Sequence, residues 1–310
     1  MRKIILAGGT GHLGTALKKK FLQLGWDIVI LSRQQPKKED GVTYVFWDGE
    51  HLDAWVNVLE SADTVINLSG ESIRCRFTSK NRVILENSRL LPTSALGRAI
   101  VTCGKRPRLW INFSGISIFS GLKELQDESS IAIGEGYLAQ LTRRWEATFS
   151  AFDLPDTLKV ILRVSPVLSK QHGILAELLP LAKWGLGGKV SNGCQCVSWI
   201  HERDLVRLVW WIIEQTQPRR IYHACSPYPV TNATFMKALR DSLGASFGLP
   251  IPRVLAHIGS FLKGVDSSIL LQPVPGTTKF TLEDGFDFKF GKIKCALSDL
   301  INNKNNIVNQ

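Results

Sequence analysis

The sequence contains no apolar run long enough to cross a bilayer, which predicts that the chain has no membrane-spanning helix. Its N-terminus lacks the pattern of a secretory leader, since the first apolar run is short and enters a glycine turn directly. None of the six cysteines forms a C-x-x-C pair, and no histidine cluster accompanies them, so we expect no metal site. These absences predict a protein of the cytoplasm, or of a soluble organelle, with free thiols.

Acidic residues are the scarcer charged type: 27 Asp and Glu stand against 38 Lys and Arg, a formal net charge of +11. Such an excess is typical of nucleic-acid-binding proteins, but the basic residues are dispersed along the chain. No basic run is interleaved with aromatic residues in the manner of single-strand-binding proteins. We therefore expect neither nucleic acid nor a membrane as a partner, and the positive charge also suits a phosphate-rich small molecule.

The first 33 residues contain the most informative pattern, which is a strand, a glycine turn, a helix and a second strand. The apolar run 4–7 leads into Gly8, Gly11 and Gly14, and a second apolar run, 28–31, follows the helix. Gly8 permits a tight turn, Gly11 lets the backbone approach a pyrophosphate, and Gly14 lets the helix lie close to the strand. Free N–H groups at the helix start then face the phosphates. This arrangement predicts a dinucleotide site.

The residues after the second strand indicate which dinucleotide is bound. NAD enzymes place a carboxylate there to hold the ribose 2′-hydroxyl, but this chain has Ser32 and Arg33. A hydroxyl and a guanidinium favour a 2′-phosphate, so the sequence predicts NADP(H) as the cofactor. One charge-assisted contact contributes about 1.5–3 kcal/mol. The alternative is that Arg33 is a solvated loop residue. Asp48, after the third strand, either accepts from the adenine amino group or belongs to a surface loop.

Strands and helices alternate through the first half of the chain, which is typical of a parallel sheet covered on both faces. The fold class is therefore α/β, a doubly wound parallel sheet of the Rossmann type with a smaller C-terminal subdomain on the substrate side. We assign residues 1–165 to the Rossmann NADP-binding domain and 166–310 to the subdomain, with about 197–225 returning to the sheet. Within the second half, 166–195 is predicted as loop-rich, 197–200 as a strand, 204–214 as a helix and 221–224 as the last strand of the sheet.

Several segments, taken in order, resemble one superfamily. The glycine pattern, VINLSGE (65–71), Ser88-Arg89 and Ser114 after a strand are similar to the extended short-chain dehydrogenases/reductases. The segments YLAQLTRRWEA (137–147), LLPLAKWGLGGKV (178–190), VSWIHERDL (197–205) and LEDGFDFKF (282–290) resemble one atypical branch. That branch is the epimerase-family NADP(H)-binding proteins, loosely named nucleoside-diphosphate-sugar epimerases or cell-division-inhibitor-like proteins. The resemblance spans nearly the whole chain.

The resemblance implies an NADP(H) site built by residues from several strand ends. Arg89 would point a cation at phosphate, Leu68 and Ser69 would offer backbone groups to the adenosine or ribose, and Val167 would lie near the nicotinamide. The full set of expected cofactor-binding residues is Gly8, Thr10, Gly11, His12, Leu13, Gly14, Ser32, Arg33, Leu68, Ser69, Gly70, Glu71, Arg89 and Val167.

Active members of the superfamily use a serine, a tyrosine and a lysine four residues after the tyrosine. Ser114 and Tyr137 match the first two as catalytic candidates, but Leu141 stands where the lysine is expected. Lowering a tyrosine pKa from about 10 to about 7 takes about 4 kcal/mol, which leucine cannot supply. Relatives also carry tyrosines soon after the serine, where this chain has Ile118 and Phe119. Tyr137 is therefore either the general acid or base, or a helix-packing aromatic.

Three further positions have two interpretations each. Glu71 faces either the cofactor or the substrate part of the cleft. Asp127-Glu128 either cap the following segment or line the cleft. His201 is expected to fix a turn or pair with Asp204 rather than transfer protons.

Three functions are consistent with these residues. The leading one is an NADP(H)-dependent oxidoreductase that moves hydride between the nicotinamide and a carbonyl or alcohol carbon of a small substrate. The second is an NADPH-binding regulatory or scaffold protein without turnover, which the missing lysine and tyrosines favour. The third, a sugar-nucleotide epimerase, needs a working base and a uridine-diphosphate pocket, and the sequence shows neither. The superfamily often dimerises through the helices found here at about 81–103 and 137–152, so a homodimer is one expectation.

Overall fold

The computed structural model describes residues 2–34 and 39–303, so short parts of both predicted domains, residues 1, 35–38 and 304–310, lie outside the described residues. Strands and helices alternate through the first half, as predicted. The elements are β1 Lys3–Ala7, α1 His12–Gln23, β2 Asp27–Ser32, β3 Val42–Phe46, β4 Thr64–Asn67, α2 Ser79–Thr102, β5 Leu109–Gly115, α3 Tyr137–Ser150, β6 Leu158–Val164, β7 Val167–Leu168, α4 Gly173–Lys183, β8 Cys196–Val197, β9 Ile200–His201, α5 Glu202–Glu214, β10 Ile221–Ala224, β11 Val230–Thr231, α6 Asn232–Leu243, α7 Arg253–Leu262, α8 Ser268–Leu271, α9 Phe280–Glu283 and α10 Ile293–Asn302, with 3-10 helices at Ala54–Leu59 and Ile116–Phe119.

Seven parallel strands form the main sheet in the order β10-β6-β5-β4-β1-β2-β3, which confirms the predicted fold class. The chain runs outward in one direction through β2 and β3, and in the other through β4, β5, β6 and β10. The direction reverses between β1 and β4. In doubly wound sheets the ligand crevice lies at this point, outside the carboxyl ends of the strands.

Helices cover both faces of this sheet, and each face has its own apolar core. On one face α1 and α5 contribute Leu17, Phe21 and Leu208, all buried against the strands. On the other face α2 and α3 contribute Leu96 and Phe149. The ring of Phe149 lies edge-on to Trp110 of β5, with ring centroids 4.5 Å apart. Because strands buried on both faces carry near-continuous apolar runs, these strands could be located from the sequence.

The glycine turn between β1 and α1 is built as the sequence pattern predicts. Gly8 has φ +73°, where other residues are strained, and a Cβ there would lie 2.9 Å from Ser69 Oγ. A Cβ at Gly14 would overlap the carbonyl oxygen of Gly9, so α1 approaches the turn more closely than any other residue would allow. Gly11, the N-cap of α1, differs from both, because a Cβ there would meet no atom within 4 Å.

The second half of the chain departs from the prediction in two places. Residues 166–195 are not simply loop, because α4 occupies Gly173–Lys183 and packs into a C-terminal core with α6 and α10. The single strand predicted at 197–200 is two short strands, β8 and β9, in separate two-stranded sheets. β10 joins the main sheet beside β6, as predicted for 221–224. Within the described part of the chain, none of the helices combines the length and the apolar character needed to cross a membrane.

One buried carboxylate, that of Glu128, fastens the C-terminal segment to the main sheet. It accepts hydrogen bonds from the backbone N–H of His223 in β10 at 3.0 Å and from the hydroxyl of Thr278 at 2.7 Å. Its second oxygen accepts from the N–H groups of Lys279 at 2.8 Å and Phe280 at 3.2 Å. Asp127 instead accepts from the N–H of Ser129 and so caps its own turn. The capping interpretation therefore holds for Asp127, whereas Glu128 binds two segments far along the chain, which neither interpretation predicted.

We expect Gly14→Ala to lower the free energy of unfolding by about 2 kcal/mol or more, because the added methyl forces α1 away from the turn. Gly11→Ala is the matched control, since its methyl enters open space, and we expect it to change stability by less than about 1 kcal/mol. Urea denaturation followed by circular dichroism measures both. Equal losses in the two variants would contradict the close approach of α1 to β1.

Candidate functional site

A cleft of about 550 Å³ opens at the carboxyl ends of the central strands. Predicted cofactor-binding residues line it from three directions. They are Gly8, Thr10 and Gly11 after β1, Ser32 and Arg33 at the end of β2, and Leu68, Ser69, Gly70 and Glu71 after β4. The structure therefore brings together, around one cavity, residues that are up to 63 positions apart in the sequence, from Gly8 to Glu71.

The turn at Gly11 suits a pyrophosphate. Nothing lies within 4 Å of the place that a side chain would take at this N-cap, so a ligand can approach the backbone closely. The first N–H groups of α1 lack partners within the helix, and the helix dipole favours negative charge at this end. The residues present therefore fit the phosphates of a dinucleotide.

An apolar wall of the cleft comes from α2 and was missed by the sequence analysis. Val83 and Ile84 are 56% and 44% exposed and line the cleft, as do Leu91 and Pro92, while Trp47 contributes from the turn after β3. Val83 and Ile84 are apolar residues that fall outside the buried face of α2, and apolar residues in such a position indicate a binding surface. Such a wall is suited to the flat face of a base.

Asp48 lines the cleft, but its carboxylate is turned into its own loop. Oδ1 accepts from the N–H of Glu50 at 2.8 Å and of His51 at 3.0 Å, and Oδ2 lies 2.7 Å from His51 Nδ1. The backbone hydrogen bond from Glu50, followed by the contact with the His51 ring, lowers the pKa of Asp48 to about 2. Of the two interpretations, the structure supports a loop-fixing residue in the cleft wall.

Arg33 reaches across the cleft to Glu71. Its Nη2 donates to Glu71 Oε1 at 2.9 Å, and both side chains remain in contact with solvent, with Arg33 73% exposed. Arg33 is therefore neither a simple solvated loop residue nor buried.

Arg89 lies beneath the cleft rather than at its surface. The guanidinium is buried and donates to the carbonyl oxygens of Leu85 at 3.0 Å and Glu71 at 2.9 Å. It also lies over the ring of Trp145, 5.4 Å from the ring centre. Burial lowers the pKa of Arg89. The structure thus shows Arg89 holding the loop after β4 by its backbone, whereas the resemblance implied a cation aimed at phosphate.

His12, Leu13 and Val167 also lie away from the lining of this cleft. The ring of His12 stacks on His172 with centroids 4.1 Å apart, and its Nε2 lies 3.3 Å from Glu202 Oε2. Leu13 packs against the core below α1, and Val167 begins β7. Although two histidines and a carboxylate meet here, the described residues contain no group of three or more His, Cys, Asp or Glu placed to hold a metal ion.

Ser114 lies at the end of β5 with a partner that the sequence analysis did not identify. Its hydroxyl donates to Glu146 Oε1 at 2.7 Å, and Arg163 binds the same carboxylate through Nε at 2.9 Å and Nη2 at 2.8 Å. All three residues are buried. Because a carboxylate paired with arginine only accepts hydrogen bonds, the proton of Ser114 points to Glu146. Ser114 Oγ accepts no hydrogen bond from the described residues, but Ser114 is buried and lies outside the lining of the cleft.

Glu146 and Arg163 carried a weak sequence signal. Glu146 lies on the buried face of α3, four residues after Thr142 and seven after Ala139, where an apolar residue is expected. Arg163 interrupts the apolar run of β6 and stands beside Ser114 in the sheet register. Its Nη1 lies 3.4 Å from Nε2 of the buried His223, whose pKa is lowered by burial. Because charged residues are rarely buried unless they are paired, a charged residue on a buried face indicates that a partner of opposite charge lies nearby.

The hydroxyl of Tyr137 is not hydrogen-bonded to that of Ser114. It donates to the carbonyl oxygen of Arg82 at 3.1 Å, and its ring lies against Phe77 with centroids 5.0 Å apart. Burial, and then the charge of Glu86, raise the pKa of Tyr137. Leu141, in the expected lysine position, is only 2% exposed. This surrounding does not promote ionisation of the phenol and favours the interpretation of Tyr137 as a packing aromatic.

His201 is a structural residue, as predicted. It is the N-cap of α5, and its Nδ1 accepts from the N–H of Arg203 at 3.0 Å. Its ring stacks on Phe290, with centroids 3.9 Å apart, and its Nε2 lies 3.3 Å from Asp299 Oδ2. The predicted pairing with Asp204 is wrong, because the Asp204 carboxylate accepts from the backbone N–H groups of residues 289 and 290.

Comparisons with known proteins identify a family and several relatives. The NAD dependent epimerase/dehydratase family matches residues 4–225. A relative from Bos taurus, the epimerase family protein SDR39U1, is 28% identical over 306 residues, covering 96% of this chain and 99% of the relative. The epimerase family protein YfhF of Bacillus subtilis is 27% identical over 309 residues, covering 96% and 97%.

Solved structures extend the likeness to three dimensions. The crystal structure of human epimerase family protein SDR39U1 (isoform 2) with NADPH has a TM-score of 0.86 and 26% identity, covering 97% of this chain and 99% of that chain. The UDP-N-acetylglucosamine 4-epimerase of Bacillus cereus has a TM-score of 0.74 at 15% identity, covering 97% and 99%, which is a likeness of fold alone.

We expect Glu146→Ala to lower the free energy of unfolding by about 3–5 kcal/mol, because Arg163 would keep a buried charge without its partner. Glu86→Ala is the matched control: it removes the more exposed pair between Glu86 and Arg144, and we expect a loss below about 1 kcal/mol. Chemical denaturation measures both variants. A small loss for Glu146→Ala would show that the Ser114–Glu146–Arg163 arrangement contributes little to the fold.

Proposed function

The chain belongs to the NAD dependent epimerase/dehydratase family, and on this premise we propose that it is an NADP(H)-dependent oxidoreductase acting on a small carbonyl or alcohol substrate. The human relative was crystallised with NADPH. In this chain the end of β2 carries Ser32 and Arg33 in place of the carboxylate that selects NAD. Both facts support NADP(H) as the cofactor.

Different residues of the cleft would bind different parts of the cofactor. The N–H groups that follow Gly11 would hold the pyrophosphate, and Ser32 with Arg33 would hold the 2′-phosphate. Val83 and Ile84 offer an apolar surface to the adenine. Bound in this way, NADP(H) supplies or accepts a hydride.

The observation that carries the oxidoreductase proposal is the fixed hydroxyl of Ser114. Because its proton is directed to Glu146, Ser114 Oγ accepts a hydrogen bond from the substrate, which orients the hydroxyl of an alcohol. Tyr137 keeps its proton at neutral pH, since its pKa is raised. The group that gives a proton to the substrate oxygen in reduction takes it back in oxidation. That group is either Tyr137 or a water, and the raised pKa of the phenol favours the water.

A second function, NADPH binding for regulation without turnover, is favoured by the buried Leu141. No described side chain replaces the missing lysine as a hydrogen-bond partner of the Tyr137 hydroxyl, which donates to a backbone carbonyl. Tight NADPH binding without NADPH consumption across a broad panel of carbonyl compounds would favour this function.

Sugar-nucleotide epimerisation is the third function and has the least support. It needs a base that removes a proton from a sugar hydroxyl, whereas the raised pKa of Tyr137 opposes that role. Stabilisation of the protein by UDP-sugars in a thermal-shift assay would revive it.

Calorimetric titration tests the cofactor. We expect NADPH to bind more tightly than NADH, and Arg33→Ala to weaken NADPH binding about ten-fold while NADH binding stays unchanged. The expected factor lies at the low end because Arg33 is exposed to solvent. An Arg33→Ala variant that binds NADPH as tightly as the wild type would remove Arg33 from the 2′-phosphate site.

Turnover tests the reaction. In NADP⁺ reduction assays over a panel of alcohols, we expect the double variant Ser114→Ala/Tyr137→Phe to lose activity and Ser117→Ala to keep it. Ser117 is the matched control because its hydroxyl contacts Thr142 at 3.1 Å, on the same stretch after β5. A double variant as active as the wild type would sink the assignment of the reacting residues.

A further inference from the structure

The ion pair between Arg33 and Glu71 crosses over the glycine turn. In the sheet β1 lies between β4 and β2, so the residues that follow β4 and β2 stand on opposite sides of the turn after β1. Neighbouring strands are about 4.8 Å apart, which places the ends of β4 and β2 about 10 Å from each other. Nevertheless Arg33 Nη2 and Glu71 Oε1 are 2.9 Å apart. The two side chains together therefore span the width of β1 at the mouth of the cleft.

Of the two partners, Glu71 is the one held in place. Its backbone N–H donates to Ser88 Oγ at 3.0 Å, and its carbonyl oxygen accepts from the buried Arg89 at 2.9 Å. At Gly70, just before it, a Cβ would lie 3.3 Å from Arg89 Cζ. These contacts hold the loop after β4 against α2, and they fix the position of the Glu71 backbone from which the carboxylate extends. Arg33 is the more exposed partner, with 73% of its side chain open to solvent against 44% for Glu71.

We propose that Glu71 is a specificity-determining residue, which competes with the 2′-phosphate of NADP(H) for Arg33. This inference rests on the proposed function in one respect, which is that Arg33 contacts the 2′-phosphate. When the cofactor binds, Arg33 leaves the Glu71 carboxylate and contacts the 2′-phosphate. Breaking the contact with Glu71 lowers the affinity for NADP(H). NADH has a hydroxyl in place of this phosphate and does not compete for the guanidinium.

Charge and exposure determine the direction of the effect. A solvent-exposed ion pair contributes little stability, so the phosphate can displace the carboxylate. A carboxylate left beside a phosphate of about two negative charges repels it, and this repulsion weakens NADPH binding. Replacing Glu71 with a neutral residue removes both the competition and the repulsion. The affinity for NADPH should rise, and the affinity for NADH should change little.

The test is calorimetric titration of NADPH and NADH into the full chain, with Glu71→Gln, Arg33→Ala and the double variant. We expect Glu71→Gln to bind NADPH about three-fold to ten-fold more tightly than the wild type, at low salt. In the Arg33→Ala background, Glu71→Gln should have no more than a small effect, because the residue it competes for is gone. Raising the salt concentration should shrink the gain.

Glu50→Gln is the matched control. Glu50 also lines the cleft and is exposed, but it comes from the turn after β3 and is not the partner of Arg33. An equal gain from Glu50→Gln would reduce the effect to the net charge of the cleft and overturn the proposal. Unchanged or weaker NADPH binding by Glu71→Gln, with an unchanged melting temperature, would also overturn it.

The variants separate this inference from the proposed function. If Arg33→Ala weakens NADPH binding but Glu71→Gln does not strengthen it, only the role of Glu71 fails. If Arg33→Ala leaves NADPH binding unchanged, the placement of the 2′-phosphate fails and the role of Glu71 fails with it. Neither result depends on turnover, so the oxidoreductase assignment is judged by its own assay.

Discussion

The close approach of α1 to β1 is the contact on which the rest of this protein depends. Gly14 brings the start of α1 against the carbonyl of Gly9, and Gly8 takes a positive φ beside Ser69. This contact aims the free N–H groups of α1 at the crevice between β1 and β4. It also positions the glycine turn, over which the side chains of Arg33 and Glu71 form their ion pair. A single larger residue at Gly14 would move the helix, the phosphate site and the cleft walls together.

A second constraint is the buried ion pair beside Ser114. Ser114, Arg163 and His223 stand side by side across β5, β6 and β10, and Glu146 from α3 closes the arrangement. Buried charges stabilise a fold only when paired, so the pair ties α3 to the sheet at the strand ends. The same pair fixes the direction of the Ser114 proton. One set of hydrogen bonds thus ties α3 to the sheet and sets the orientation of the Ser114 hydroxyl.

Local patterns were enough to locate the main sheet and the glycine turn, because apolar runs and glycine spacing are properties of neighbouring residues. They also placed Ser32, Arg33 and Ser69 at one cleft, since parallel strands end at one edge. They did not reveal that Ser114 pairs with Glu146, 32 residues away, or that Arg89 turns beneath the cleft to the carbonyl of Glu71. Such partners are set by tertiary packing. The helix α4 was missed because proline and glycine are typical of loops, and Pro180 and several glycines lie in this segment. The helix is held by its buried residues Leu175 and Ala182.

The carboxylate of Glu128 also has a consequence for how the molecule can move. Its four hydrogen bonds join the last strand of the sheet to residues 278–280, so the two parts of the chain cannot rotate apart without exposing or orphaning a buried charge. Hinge opening between these parts is therefore costly. For the same reason, a chain truncated after β10 would leave this carboxylate with one of its four hydrogen-bond donors, the N–H of His223, and we expect it to be less stable than the full chain.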